Sequence, residues 1–426
     1  MVTAQQTLIQ QLQAELAAVS GGTYLWSKRF GSTNYDAGYS IATDSNGDVF
    51  VVGEFFETVD FGGGGLLSAG STDIFVAKYS GATGAHIWSK RFGGTLSDGA
   101  NSIAVDGSGN IVLTGYFRDT VDFGGVPLTS SGSFDVFLLK LSGTNGNHVW
   151  SKRFGGTSSD GVLDVAVDVA GDVVITGDFI GNADFGGLIL QSAGGGDIFV
   201  AKYSGSNGSH LWSKRFGGTS TDSGQGISTD SNGNVFVTGF FNSSTIDFGG
   251  GSLTNAGGND GYLAKLSASN GNHLWSKRFG GTGHEFGRKV AVDSNNNVLL
   301  IGNFTSSTID FGGGALTNVS TQGYPDIYVV KYNSTGVHQW SKAFGGSSFD
   351  AGRDIKVDGS GNPVITGYFY EAANFGGATL NSAGNEDIFV AKYAGNNGTH
   401  LWSRRFGSSS SEEPQGLALS SQAEID

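Results

Sequence analysis

An all-β fold written as one repeated unit is what this sequence predicts, and three observations predict it. All seven tryptophans, Trp26, Trp88, Trp150, Trp212, Trp275, Trp340 and Trp402, sit in copies of one phrase of the form HLWSKRFGG, and they stand 62, 62, 62, 63, 65 and 62 residues apart. Each unit carries four short runs rich in aromatic and β-branched residues, the composition that suits a pleated, half-buried surface. Turn phrases such as Asp230-Ser231-Asn232-Gly233-Asn234 separate the runs: Asp and Asn bond their own backbone and Gly takes the left-handed position. A fixed period of this length means one supersecondary unit stacked on its own copies.

The first run of the unit is the Trp segment, where alternation puts His86, Trp88, Lys90 and Phe92 on one side and Ile87, Ser89 and Arg91 on the other. The second is of the type Ser102-Ile103-Ala104-Val105-Asp106, and the third, after the turn, of the type Val235-Phe236-Val237-Thr238-Gly239-Phe240. A Gly-rich stretch such as Asp122–Leu128, with room for a small extra hairpin, leads to the fourth, of the type Asp197-Ile198-Phe199-Val200-Ala201-Lys202-Tyr203. About four antiparallel strands per unit, repeated radially, describe a β-propeller whose blades are ~62 residues long.

The phrases GNVFVTGFF, TIDFGGGSLTNAGG, DIFVAKYSG and HLWSKRFGGT, taken together, resemble the bacterial SBBP-type β-propeller repeat over residues 23–420. The resemblance implies a propeller, a secreted or cell-surface location, and no shared catalytic motif. Residues 1–22 lack the basic start and apolar block of a secretory signal, so the location is left open.

The Trp run and the SIAVD-type run occur seven times each, the latter counting Gln415-Gly416-Leu417-Ala418-Leu419, whereas the VFVTG and DIFVAKY runs occur six times each. The sum is six complete blades and two end strands, Tyr24–Phe30 and Gln415–Leu419. Either six blades close with the end strands outside, or seven-fold geometry holds with one split blade; the reading leans to seven.

Before the repeats, residues 1–22 form a separate segment. Ile9, Leu12, Leu16 and Val19 step by 3, 4 and 3, and with Leu8 they make an amphipathic helix over 3–19 that is a candidate for oligomerisation or docking. Residues 421–426 are a C-terminal tail.

Composition bounds the function. The formal net charge of −14 opposes nucleic-acid binding, no apolar run is long enough for a membrane span, and the chain reads as soluble. The absence of Cys excludes thiolate metal sites and disulfides.

One acid recurs six residues after the Phe of each Trp run: Asp36, Asp98, Asp160, Asp222, Glu285, Asp350 and Glu412. All seven belong at one face near the axis, where an acidic ring is a candidate for binding a cation, an amine or a basic segment; the competing reading is a turn in which each carboxylate accepts backbone N–H bonds. The His two residues before six of the tryptophans, as His86 and His148, read as structural strand starts, because one per blade cannot converge on a metal. The Asp-rich turns place Gly fourth rather than sixth, as calcium loops do not, and the third unit has Ala170 where an oxygen ligand is needed. No cofactor is expected, with calcium the one ion these turns leave open.

No nucleophile–base or paired-carboxylate set distinguishes one unit from another. The expectation is therefore a non-enzymatic binding or scaffold module that recognises protein or glycan ligands multivalently. The alternative is a self-associating subunit of a larger assembly, docked through the N-terminal helix and the incomplete blade.

Overall fold

Each repeat folds into four antiparallel strands in the order SIAVD-type, VFVTG-type, DIFVAKY-type and Trp-type, so short returns join neighbours throughout. The computed structural model describes residues 25–420, and no helix is assigned among them. The helix expected over 3–19, with Leu8, Ile9, Leu12, Leu16 and Val19, and the tail at 421–426 lie outside the described residues. In the third unit the strands are Asp160–Val167, Val173–Phe179, Asp197–Tyr203 and His210–Phe216. Phe179 pairs with Asp197 and Ile198 with Phe216, which fixes the register of the middle and outer ladders. Six such four-stranded units follow one another among the described residues. The Gly-rich stretch of each of the first five units holds the small hairpin, as at Thr245–Asp247 with Ser252–Thr254; in the sixth it extends Pro363–Asn374 and Leu380–Tyr393. Twice a hairpin pairs backward and fuses neighbouring units, Gly155 and Gly156 with Asp184 and Ala183, and Gly345 and Gly346 with Asn374 and Ala373.

The sheets stand face to face around an axis, which makes the molecule a β-propeller. Every residue of Asp197–Tyr203 is buried, because both faces of that strand meet a neighbouring sheet. Between the second and third units, Val136, Leu138, Trp150 and Phe154 meet Ile175, Phe199, Ala201 and Tyr203. Burial of this kind stabilises by roughly 25 cal/mol per Å² of apolar surface.

Polar contacts fix the spacing at rim and hub. At the rim, Trp150 Nε1 (3.1 Å) and Lys140 Nζ (2.7 Å) both donate to the Gly205 carbonyl of the next unit. Lys140 also pairs with Asp106 at 2.7 Å. The same pairing recurs as Lys202–Asp168, Lys265–Asp230 and Lys331–Asp293, so each Asp-rich turn gives one oxygen to its own N–H groups and the other to a Lys of the DIFVAKY-type run. At the hub, an inner-strand N–H is bonded by a side chain of the preceding unit: Ile227 N donates to Asp164 Oδ2 at 2.9 Å. The chain's ends continue both series. Leu417 N donates to Asp354 Oδ2 at 2.8 Å, the Thr43 hydroxyl donates to the Leu419 carbonyl at 2.7 Å, and Trp26 Nε1 donates to the Gly81 carbonyl at 2.7 Å.

One glycine per unit shapes the hub. A Cβ at Gly239 would lie 1.9 Å from the Ser223 carbonyl oxygen, and its counterpart at Gly302 would lie 2.0 Å from the Phe286 carbonyl. Only a residue without a side chain lets the inner strand approach this closely. The approach accompanies a register shift in every inner strand, between Gly224 and Gly226 for example, which leaves Gln225 unpaired as a β-bulge.

Candidate functional site

The bulge is where the units differ. It falls at Tyr39, Asn101, Leu163, Gln225, Arg288 and Arg353, the residue skipped by the register shift in each of the six inner strands. All six, together with Gln415 from the end segment, line one cavity of about 290 Å³ at the axis. A bulge bends its strand and re-aims the extra side chain, so one residue per unit is turned inward. Seven stations thus present a Tyr, an Asn, a Leu, two Gln and two Arg.

The cavity is electrostatically divided. On one side the Tyr39 hydroxyl donates to Glu54 Oε1 at 2.7 Å, and the Tyr116 hydroxyl to Glu54 Oε2 at 2.5 Å, so this carboxylate is already held. Opposite, the Arg288 guanidinium rests 4.9 Å from the Phe286 ring centroid and has no hydrogen-bond or ion-pair partner among the described residues; its buried Nε is unsatisfied. Burial lowers its pKa from the usual value, and the nearby Arg353 charge pushes the same way. Arg353 stacks on Tyr368 at 5.0 Å and reaches Glu413 at 2.7 Å, with its own Nε buried and unpaired. Lys289 is paired with Asp164 at 2.7 Å. In a chain of net charge −14, two stacked guanidiniums with unused donors face the axial cavity.

The recurring acids stand three positions before each bulge residue, at the start of the inner strand. Asp98, Asp160, Asp222, Glu285 and Asp350 are buried, while Asp36 and Glu412 are half-buried. Each accepts the backbone N–H of the residue four positions earlier: Ser32 to Asp36, Gly94 to Asp98, Gly156 to Asp160, Gly218 to Asp222, Gly281 to Glu285, Gly346 to Asp350 and Ser408 to Glu412. Asp222 further accepts Asn242 N–H at 2.9 Å and the Ser243 hydroxyl at 2.6 Å. Burial pushes Asp98 and Asp160 up to about 6 against these N–H bonds, and in each the neighbouring carboxylate that opens the DIFVAKY-type run, Asp73 or Asp135, adds to the rise. The carboxylates are brought to one end of the propeller, where they tie loops to strands.

The structural roles of the other recurring residues are equally local. His148 Nε2 lies 3.1 Å from the Ser151 hydroxyl, and Gly125 passes so close over the ring that a Cβ there would sit 2.6 Å from Cε1. Among the described residues no group of three His, Asp or Glu is placed to hold a metal ion. No helix among them is long and apolar enough to cross a membrane, which says nothing of β-barrels.

The bulge position was legible by subtraction only. It lies thirteen residues beyond every Trp, 26 to 39 and 88 to 101 through 402 to 415, and it is marked by failing to repeat. Motif reading seeks recurring residues and passes over such a position.

A family model agrees with this architecture. The family model SBBP, described as "Beta-propeller repeat", matches residues 25–54 and 211–240, and it supports the resemblance drawn from the repeat phrases. An uncharacterized WD repeat-containing protein of Acanthamoeba polyphaga mimivirus is 23% identical over 87% of this chain and 33% of its own length. The regulatory protein FlaEY of Caulobacter vibrioides is 26% identical over 82% of this chain and 38% of its own length. The chain thus spans about a third of these relatives, and they are not confined to bacteria. Among solved structures, the Neurospora crassa Pan2 WD40 domain aligns with a TM-score of 0.42 at 8% identity, covering 86% of this chain and 79% of that one. BamB from Moraxella catarrhalis aligns at 0.35 and 13%, covering 84% of this chain and 91% of that one.

Proposed function

We propose that this protein is a non-enzymatic β-propeller recognition module whose ligand seats a carboxylate at the axial cavity. The observation that carries the reading is the concentration of difference at the seven bulge positions, with Arg288 and Arg353 holding unused, buried donors there. A ligand carboxylate would offer those donors bidentate partners. None of the seven residues is a usual general base, and their variety suits one asymmetric ligand better than seven equal ones. The ligand class is an acidic protein segment, with an acidic glycan as the comparison.

Fluorescence anisotropy with a labelled peptide of four Glu-Gly repeats tests it. We expect Arg288→Gln to weaken binding by about tenfold or more, the loss of one charge-assisted contact of about 1.4 kcal/mol, and the Gln-Gly analogue not to bind. Equal affinity of the variant and the original chain for the acidic peptide would discard the axial site.

A second reading, the assembly subunit, is favoured by one observation: the end segments 25–30 and 415–419 occupy rim and hub positions between the sixth and first sheets without strand partners. Light scattering of the full chain reads self-association directly.

A further inference from the structure

Between the sixth and first sheets the propeller has a hub segment and a rim segment and nothing assigned between them among the described residues. Residues 415–419 carry the hub bonds to Asp354 and Thr43, and residues 25–30 carry the rim bond from Trp26 to Gly81. Phe30 stacks on Tyr79 at 5.1 Å, as Phe154 does on Tyr203 at 4.5 Å in a complete interface. Both end segments therefore stand where an inner and an outer strand stand in every sheet. Neither is in a ladder, and no second or third strand is assigned between them among the described residues. In a complete sheet those two strands fill the ~14 Å between inner and outer positions, three strand spacings of ~4.8 Å.

The walls of this station are less covered than those of a complete interface. Phe406 is 49% exposed, whereas its counterpart Phe344 is 6% exposed. Ile388 and Val390 are half-buried, while Ile198 and Val200 at the same register are fully buried. Across the station, Val49 and Val51 are half-buried where Val173 and Ile175 are fully buried. Apolar surface is bared on both walls at the same station and not at the corresponding third–fourth and second–third interfaces.

Charge marks it as well. In five units the Arg of the Trp run pairs with the Asp that opens the DIFVAKY-type run: Arg91 with Asp73, Arg153 with Asp135, Arg215 with Asp197, Arg278 with Asp260 and Arg405 with Asp387. Arg29 occupies that position in the rim segment, is exposed, and has no ion-pair or hydrogen-bond partner among the described residues.

We infer that this station is an acceptor for a β-hairpin supplied by a partner polypeptide. The inference deepens the assembly reading by naming what docks. The hairpin has two strands of about seven residues, apolar side chains alternating onto both faces, and an acid opening its second strand to meet Arg29. It would extend both end segments into a sheet, satisfying their open backbone edges as strand addition does elsewhere. An apolar helix in the same gap would cover the walls but leave those edges unpaired, which is why a hairpin is the favoured occupant.

The chain contains no Cys, so Phe406→Cys in the full chain gives a single reporter thiol on the bared wall. The probe is a synthetic hairpin joining the sequence of Val235–Phe241 to that of Asp197–Tyr203 through Asn-Gly. Free, the thiol should react with an aromatic disulfide reagent at close to the rate of a small thiol; saturating hairpin should slow it about tenfold or more, at one hairpin per chain. Arg29→Gln, or Asn in place of the hairpin's Asp, should each weaken binding by about tenfold, the loss of one charge-assisted contact. A thiol already protected in the free chain would mean the station is filled by the chain's own terminal residues, and would overturn the inference. So would failure to saturate, or an affinity indifferent to both charge changes. A monomeric mass with intact hairpin binding would keep the site and discard self-assembly alone.

Discussion

The rim of the propeller and its axial mouth are built by opposite rules. At the rim the same residues do the same work in the first five units: Trp88, Trp150, Trp212, Trp275 and Trp340 donate to the next unit's backbone at 3.2, 3.1, 3.0, 3.2 and 3.1 Å. At the mouth the bulge residue changes along the series, from Tyr39, Asn101, Leu163 and Gln225 to Arg288 and Arg353, and the two guanidiniums there have donors with nothing to bond. Contacts that hold sheets at one spacing must repeat, because the spacing repeats. Contacts that recognise a single ligand need not, and the change of rule along one strand, within three residues of Asp222 or Glu285, separates scaffold from site.

The comparison breaks most visibly if a rim tryptophan is removed. Trp212→Ala should destabilise by about 3–5 kcal/mol, the range for deleting a buried aromatic side chain, as read by denaturant unfolding. Arg288→Gln should instead leave the midpoint nearly unchanged, because this side chain has no hydrogen bond or ion pair to lose among the described residues.

A smaller effect links the two regions. Gly239→Ala drives a Cβ to within 1.9 Å of the Ser223 carbonyl, so the bulge that aims Gln225 must shift. We expect about 1–3 kcal/mol of destabilisation, the range for overpacking, and with it a change in ligand affinity that Trp212→Ala does not produce once folded.

The smallest effect tests a unit that lacks the recurring Arg–Asp pair. In the fifth unit the usual Arg is Ala343, so Asp326 faces Asp350 without a guanidinium. Burial pushes Asp326 up to about 6 and Asp350 up to about 8, with the Asp326 charge adding to the latter. A carboxyl whose folded pKa lies above its unfolded value contributes stability at low pH and loses it as pH rises through the folded value. This pair should therefore cost stability progressively between about pH 4 and 8. Ala343→Arg should flatten that decline, adding about 1 kcal/mol at pH 8 and little at pH 5, in thermal unfolding across that range.

Much of this was legible beforehand because repetition amplifies a weak signal. A lone DIFVAKY could be a strand or a buried turn of helix, but six copies in fixed order beside HLWSKRF admit one supersecondary unit. The small hairpin was visible in Asp122–Leu128 for the same reason. What repetition could not give was the use made of a repeated group. Asp98 and Asp160 recur as ligand-like carboxylates do, and only the backbone geometry shows them accepting N–H bonds from Gly94 and Gly156.

The sequence by itself determined the unit, its strand order and the surplus of two end strands, since these follow from periodicity, turn chemistry and counting. The tertiary structure decided which residue of each inner strand faces the axis, because a bulge is set by how closely two backbones approach at Gly239 and its counterparts. It also decided that Arg288 is unpaired while Lys289, its neighbour in sequence, is paired. A period records local chemistry along the chain, whereas a partner is a matter of distance between units, and that distance exists only once the ring has formed.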